Sequence, residues 1–158
     1  MHDGHGATAS TSRLALDATV HCLTGCAIGE VLGLVVSTAL ALGIVVSIFV
    51  AIVLAFFFGY SLTFFPLLGA GVELRRALGI TLASDTVSIV VMELVDNAVI
   101  LLVPGAMTAG LADPLFWGSL ALSLVIAFVA ALPVNRWLIG RGQGHAVVMR
   151  HHAQESRE

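Results

Sequence analysis

Lysine is absent from this 158-residue chain, and charged residues of both signs make up only 11% of it. A soluble domain carries about 25%, so a mostly wetted surface is excluded. The net charge of −3 is small, and no basic stripe or stacking platform offers nucleic acid a surface. The expected partner is the lipid bilayer. Cysteine is equally scarce. Cys22 and Cys26 stand one helical turn apart in an apolar stretch, which is no disulfide framework, since that needs scattered cysteines. No nucleophile–base–orienter set and no cofactor fingerprint is present, so the chain does not read as an enzyme.

What it has is hydrophobic sequence, 58% of all residues. Four apolar spans follow one another: from about Leu14 or Ala18 to Val36, Leu40 to Phe65, Ile80 to Val103, and Leu115 to Ile139. Each supplies the roughly 20 residues needed to cross a hydrocarbon core of about 30 Å, and closed helices are required because lipid offers the backbone no partners. The expected fold is all-α, an integral membrane bundle of four transmembrane helices. The division is a mobile N-terminal tail at 1–13, the helical domain at 14–139 and a polar cytoplasmic tail at 140–158. Ala39-Leu40-Ala41 looks like a signal cleavage site, but the apolar run before it is long and holds Glu30, so the segment is expected to be retained.

The seven arginines are Arg13, Arg75, Arg76, Arg136, Arg141, Arg150 and Arg157. All lie in the first tail, the middle loop, or the end of the fourth span and the tail after it. The positive-inside rule makes that side cytoplasmic, with both termini inside and the chain in an inner, or plasma, membrane. Trp117 and Trp137 bracket the fourth span, about 30 Å apart along a helix, as interfacial anchors are.

The first and third spans hold nearly all the ionisable groups: Asp17, His21, Cys22, Cys26 and Glu30 in one, Asp85, Glu93 and Asp96 in the other. An acid at mid-membrane costs about 2.5–3.5 kcal/mol on translocon scales, so these groups are expected to face each other inside the bundle. Cys22, Cys26 and Glu30 recur every fourth residue on one stripe. Asp85, Met92 and Asp96 form a second stripe, bordered by Glu93 and Asn97. By depth, His21 and Cys22 pair with Asp85, and Glu30 with Glu93 and Asp96.

Three readings follow. Imidazole, thiol, thioether and carboxylate together suit a copper or zinc site, with His21, Cys22, Cys26, Asp85 and Met92 as ligands. The acids Glu30, Glu93 and Asp96, with Asn97, form an ion or proton pathway or a polar packing set. The bland counterpart makes the cysteines small buried hydrophobes and the acids hydrogen-bonded glue, in a non-enzymatic assembly subunit. Thiol redox chemistry ranks last, because cysteines four apart on a helix bridge awkwardly. Gly25, Gly29 and Gly33 form a doubled small-residue motif for close packing, against the third helix or a second copy in a homo-oligomer. His2, His5, His145, Met149, His151 and His152 in the tails are weak metal ligands at most.

Five segments carry a family resemblance: His21-Cys22-Leu23-Thr24-Gly25-Cys26-Ala27-Ile28-Gly29-Glu30, Met92-Glu93-Leu94-Val95-Asp96-Asn97, Pro104-Gly105-Ala106-Met107, Asp113-Pro114-Leu115-Phe116-Trp117-Gly118 and Pro133-Val134-Asn135-Arg136-Trp137-Leu138. Together they resemble the bacterial and archaeal membrane family called domain of unknown function 4396, from about residue 14 to 148. The resemblance implies a four-span membrane domain and nominates the two polar helices. It supplies no catalytic residues.

Overall fold

The computed structural model describes residues 4–141, with side chains from Ser12 onward. Four helices run through it: α1 (Gly4–Ala39), α2 (Ile44–Gly69), α3 (Leu74–Leu102) and α4 (Pro114–Gly140), with a single 3₁₀ turn at Ala106–Thr108 before α4. Each of the four is long and apolar enough to cross a membrane. This is the expected all-α bundle of a multi-pass membrane protein. Helix α1 begins at Gly4, earlier than the sequence pattern suggested, so helix continues through much of the segment read as a tail. The tail residues His2, His145, Met149, His151 and His152 lie outside the described residues, and the side chain of His5 does too.

The turns are specified locally. At the end of α2 the Gly71 N–H donates to the Leu68 carbonyl and the Val72 N–H to the Leu67 carbonyl, with Gly71 at φ 82°. This Schellman closure needs a left-handed residue, which glycine supplies without strain. The end of α1 closes the same way, with Ala41 N–H on Thr38 and Leu42 N–H on Ser37, but the left-handed residue there is Ala41 at φ 50°. Helix α4 starts on an Asp113 cap, whose carboxylate accepts from the Leu115 N–H at 2.9 Å, with Pro114 at the first helical position where its missing N–H costs nothing.

The helices pack as a ring, α1–α2–α3–α4–α1, and α1 also meets α3 across the diagonal. The connections place the start of α1, the end of α4 and the α2–α3 turn at one end of the bundle, here the terminal end. The α1–α2 and α3–α4 connections lie at the other, the hairpin end. Helices α1 and α3 therefore run in the same direction.

The tightest interface is α1 on α2. A Cβ on Gly25 would meet Gly59 backbone atoms, one on Gly29 would meet the backbone of Ala55, and one on Gly33 would meet Ala51. The three pairs march in steps of four in antiparallel register, so the glycine ridge of α1 interlocks with Ala51, Ala55 and Gly59 of α2. The ridge thus faces neither the third helix nor a second copy. Its partner is the neighbouring helix of the same hairpin, because α2 carries the matching small residues at the same spacing. Outward, Phe49, Phe57, Phe65, Leu94, Leu102 and Val129 are exposed, as a lipid-facing surface requires.

Candidate functional site

The apolar core along the bundle axis is narrow: Cys22 and Cys26 of α1, Ala55 of α2, Ile89 and Met92 of α3, and Ala127 and Ala131 of α4. Polar groups lie above and below it. Toward the hairpin end, Glu30 of α1 meets Glu93 and Asp96 of α3. One ligand atom from each comes within 4.8 Å of the other two. Their residues are 8%, 5% and 0% exposed. This pairing of Glu30 with Glu93 and Asp96 is the depth match read from the two stripes.

The surroundings of the three carboxylates decide what they can do. Among the described residues no donor meets hydrogen-bonding geometry at either oxygen of Glu93 or of Asp96. The Cys26 thiol stands beside Glu93, and the Ser123 hydroxyl beside Asp96, but Ser123 donates to the Leu120 carbonyl at 2.9 Å. Asn97 Nδ2 is committed to the Glu93 backbone carbonyl at 2.8 Å. No Lys, Arg or His belongs to the group of three. Three carboxylates so close together in a low-dielectric interior cannot all stay ionised unaided. Protons or a bound cation must offset their charge.

Access comes from the hairpin end. A cavity of about 400 Å³ runs inward from Thr38, Ala41 and Gly110 at its rim, past Ser37, Asn97 and Ser119, to Glu30. Its wall includes Met107 on the 3₁₀ turn. The Pro104-Gly105-Ala106-Met107 segment therefore shapes the mouth of the cavity.

Toward the terminal end lies a second polar layer. Ser84 Oγ donates to Asp85 Oδ1 at 2.7 Å. Asn135 Nδ2 donates to Thr19 Oγ1 at 2.8 Å and to Ser88 Oγ at 3.1 Å, so one amide ties α4 to α1 and α3. Cys22 sits against Ser88 and within electrostatic range of Asp85, again the match by depth. His21 points elsewhere: its Nε2 is 2.7 Å from the Leu62 carbonyl of α2. Cys22 and Cys26 are both free thiols and both buried. Of the five side chains read as copper or zinc ligands, the structure thus sets Cys22 near Asp85, packs Met92 into the core beside the cysteines, and turns His21 onto α2. The group of three that converges comes from the acids read as a pathway or packing set.

Sequence reasoning overlooked the contribution of α4. Ser119, Ser123, Ala127, Ala131 and Asn135 recur every fourth residue and are all buried. That small-residue stripe was the available signal.

The family described as domain of unknown function (DUF4396) matches residues 12–144. The chain belongs to this family. Within this DUF4396 protein the match runs from Ser12, inside α1, to just beyond α4, and so takes in both polar layers. Comparison with curated proteins and with solved structures gives no match.

Proposed function

We propose that this protein binds a divalent transition-metal ion, zinc above all, between α1 and α3 through Glu30, Glu93 and Asp96. One observation carries the reading. Three carboxylates converge to within 4.8 Å in the interior of a membrane bundle, and among the described residues no donor meets hydrogen-bonding geometry at the oxygens of two of them. A cation supplies the missing counter-charge and ligates the oxygens at once. Zinc accepts carboxylate oxygen and cysteine sulfur in one shell, which suits the adjacent Cys26. Copper, the other metal the residue types suggested, prefers sulfur and imidazole in its cuprous form and gains little from an all-carboxylate set. The role is binding, not catalysis.

The arginine distribution supports a cytoplasmic terminal end. The cavity then opens on the outer face of the plasma membrane, and the ion reaches Glu30 from outside.

The test is metal content and calorimetry on detergent-purified full-length protein whose five tail histidines are replaced by asparagine. The expected result is one zinc per chain, lost in Glu93→Gln and Asp96→Asn and retained in His21→Gln. Wild type that takes up no zinc, manganese or other divalent ion under these conditions would overturn the proposal and leave the acids as packing groups.

A further inference from the structure

The carboxylates are not the last polar groups on the axis. Below them the two thiols step down α1, with Cys26 beside Glu93 and Cys22 beside Ser88. The spacing of the thiols along the helix is about 6 Å. Below Cys22 the inner layer of Asp85, Ser84, Ser88, Thr19 and Asn135 is at most 4% exposed in each member. On α3 a third buried acid, Asp85, thus lies two turns below Glu93, about 12 Å away, at the insertion cost of an intramembrane carboxylate. A binding site alone needs only the upper layer.

Between the layers the barrier is thin. On α3 it consists of Ile89 and Met92, each 0% exposed. They face Ala55, Ala127 and Ala131 on the neighbouring helices, and Ile89 Cδ1 fills the space that a Cβ on Gly59 would take. Two bulky side chains set against small ones close the axis at this level. Methionine adds an unbranched, adaptable side chain at that level.

We infer that the bundle passes its cation through the membrane, from Glu30, Glu93 and Asp96 over the Cys26 and Cys22 sulfurs to the inner layer at Asp85 and Ser88, with Ile89 and Met92 as the gate. The inference rests on the binding reading and extends it from holding to passage. Oxygen groups at either end and sulfur between them place a polar atom at every step of the axis.

The test uses full-length protein in lipid vesicles loaded with an impermeant zinc-sensitive dye, with zinc chloride added outside. Wild-type vesicles should take up zinc faster than protein-free ones. Ile89→Ala should accelerate uptake, and Met92→Ala gives an independent opening of the same layer if the first variant folds poorly. The double variant Ile89→Ala with Asp96→Asn should abolish the gain, since an indiscriminate hole would not need Asp96. Asp85→Asn should slow uptake yet leave the zinc stoichiometry in detergent unchanged. Protein that binds zinc in detergent, while wild type and both gate variants admit no more than protein-free vesicles, would overturn passage and leave a storage site. So would gate-variant uptake that survives Asp96→Asn. Absence of zinc in detergent is read before any vesicle is made and defeats the binding reading itself.

Discussion

His21 of α1 donates from Nε2 to the carbonyl of Leu62 on α2 at 2.7 Å, and that carbonyl is the one Pro66 leaves without a helical donor. Proline inside a helix removes the N–H that would bond four residues back, and Pro66 lies inside α2. In lipid no water can repair the loss. The imidazole repairs it from the neighbouring helix, one step of four beyond the Gly25–Gly59 contact. A carbonyl can only accept, so Nε2 carries the proton. His21 is thereby explained as a structural partner of the proline.

The first prediction follows from that bond. His21→Ala should destabilise the protein by up to about 1–3 kcal/mol, the cost of stranding a partly buried acceptor. His21→Gln, which offers an amide donor, should restore part of it. Pro66→Ala should make His21→Ala milder, because the helix then satisfies Leu62 itself. Unfolding in mixed micelles measures all three, and an unchanged His21→Ala penalty in the Pro66→Ala background would refute the account.

A second prediction concerns the α1–α2 seam. Gly29→Ala places a Cβ on the backbone of Ala55, which cannot yield as a side chain tip can. Overpacking of this kind costs about 1–3 kcal/mol, and Gly29→Leu should prevent folding. Gly118, with nothing near its would-be Cβ, is the control: Gly118→Ala should be neutral or slightly stabilising. Because the ridge is occupied within the chain, the loss should appear as unfolding at every protein concentration and not as dissociation.

Ala41 supplies a third. It holds a left-handed backbone at φ 50°, a conformation that costs a residue with a Cβ roughly 1–2 kcal/mol. Ala41→Gly should therefore raise stability by up to about 1 kcal/mol, the gain being reduced by the greater freedom of unfolded glycine. A decrease in melting temperature would contradict the turn geometry.

The four spans and their lengths were legible because hydropathy and the absence of lipid-compatible alternatives leave helices as the only solution. The vertical pairing of Cys22 with Asp85, and of Glu30 with Glu93 and Asp96, was legible too, since parallel helices of known period fix depth. Lateral information was not. Stripes on α1 give no indication whether a glycine ridge meets α2, α3 or another chain. That choice depends on Ala51, Ala55 and Gly59 presenting a matching groove. Nor does residue chemistry alone choose among ligands. His21 and the cysteines looked like metal ligands by type, yet the need of one carbonyl beside Pro66 claims the histidine. The helix-capping role of Asp113 was a local signal, and the Thr19–Asn135–Ser88 junction was not, because its members come from three helices.

Topology gives a fourth prediction. In a background lacking Cys22 and Cys26, a cysteine placed at Glu73 and one placed at Gly110 should be labelled from opposite sides by an impermeant thiol reagent. Both positions are exposed, at opposite ends of the bundle. The arginine bias further expects Gly110 to be the one labelled on intact cells. Labelling of both from one side would end the four-span arrangement.

The last prediction separates a metal site from a packing site by the sign of a stability change. Without metal, Asp96→Asn replaces one of three clustered buried acids, to which no described donor bonds in good geometry, with a neutral amide, so the variant should be more stable than wild type. With zinc present, the order should invert. An ion that binds only the folded protein adds about 2.7 kcal/mol at a hundredfold excess over its Kd, and wild type gains this in full while the variant gains little. The two stability curves, plotted against zinc concentration, should therefore cross. A carboxylate that merely packs the helices predicts otherwise: Asp96→Asn lowers stability or leaves it alone, and zinc moves neither protein. Glu93→Gln should cross wild type in the same way, since its carboxylate oxygens are also without donors. Asn135→Ala, which breaks the inner junction but touches none of the three acids, should shift both arms down in parallel, by roughly 0.6–1.7 kcal/mol for each interhelical hydrogen bond lost in a membrane. Parallel curves for Asp96→Asn would assign the trio to packing.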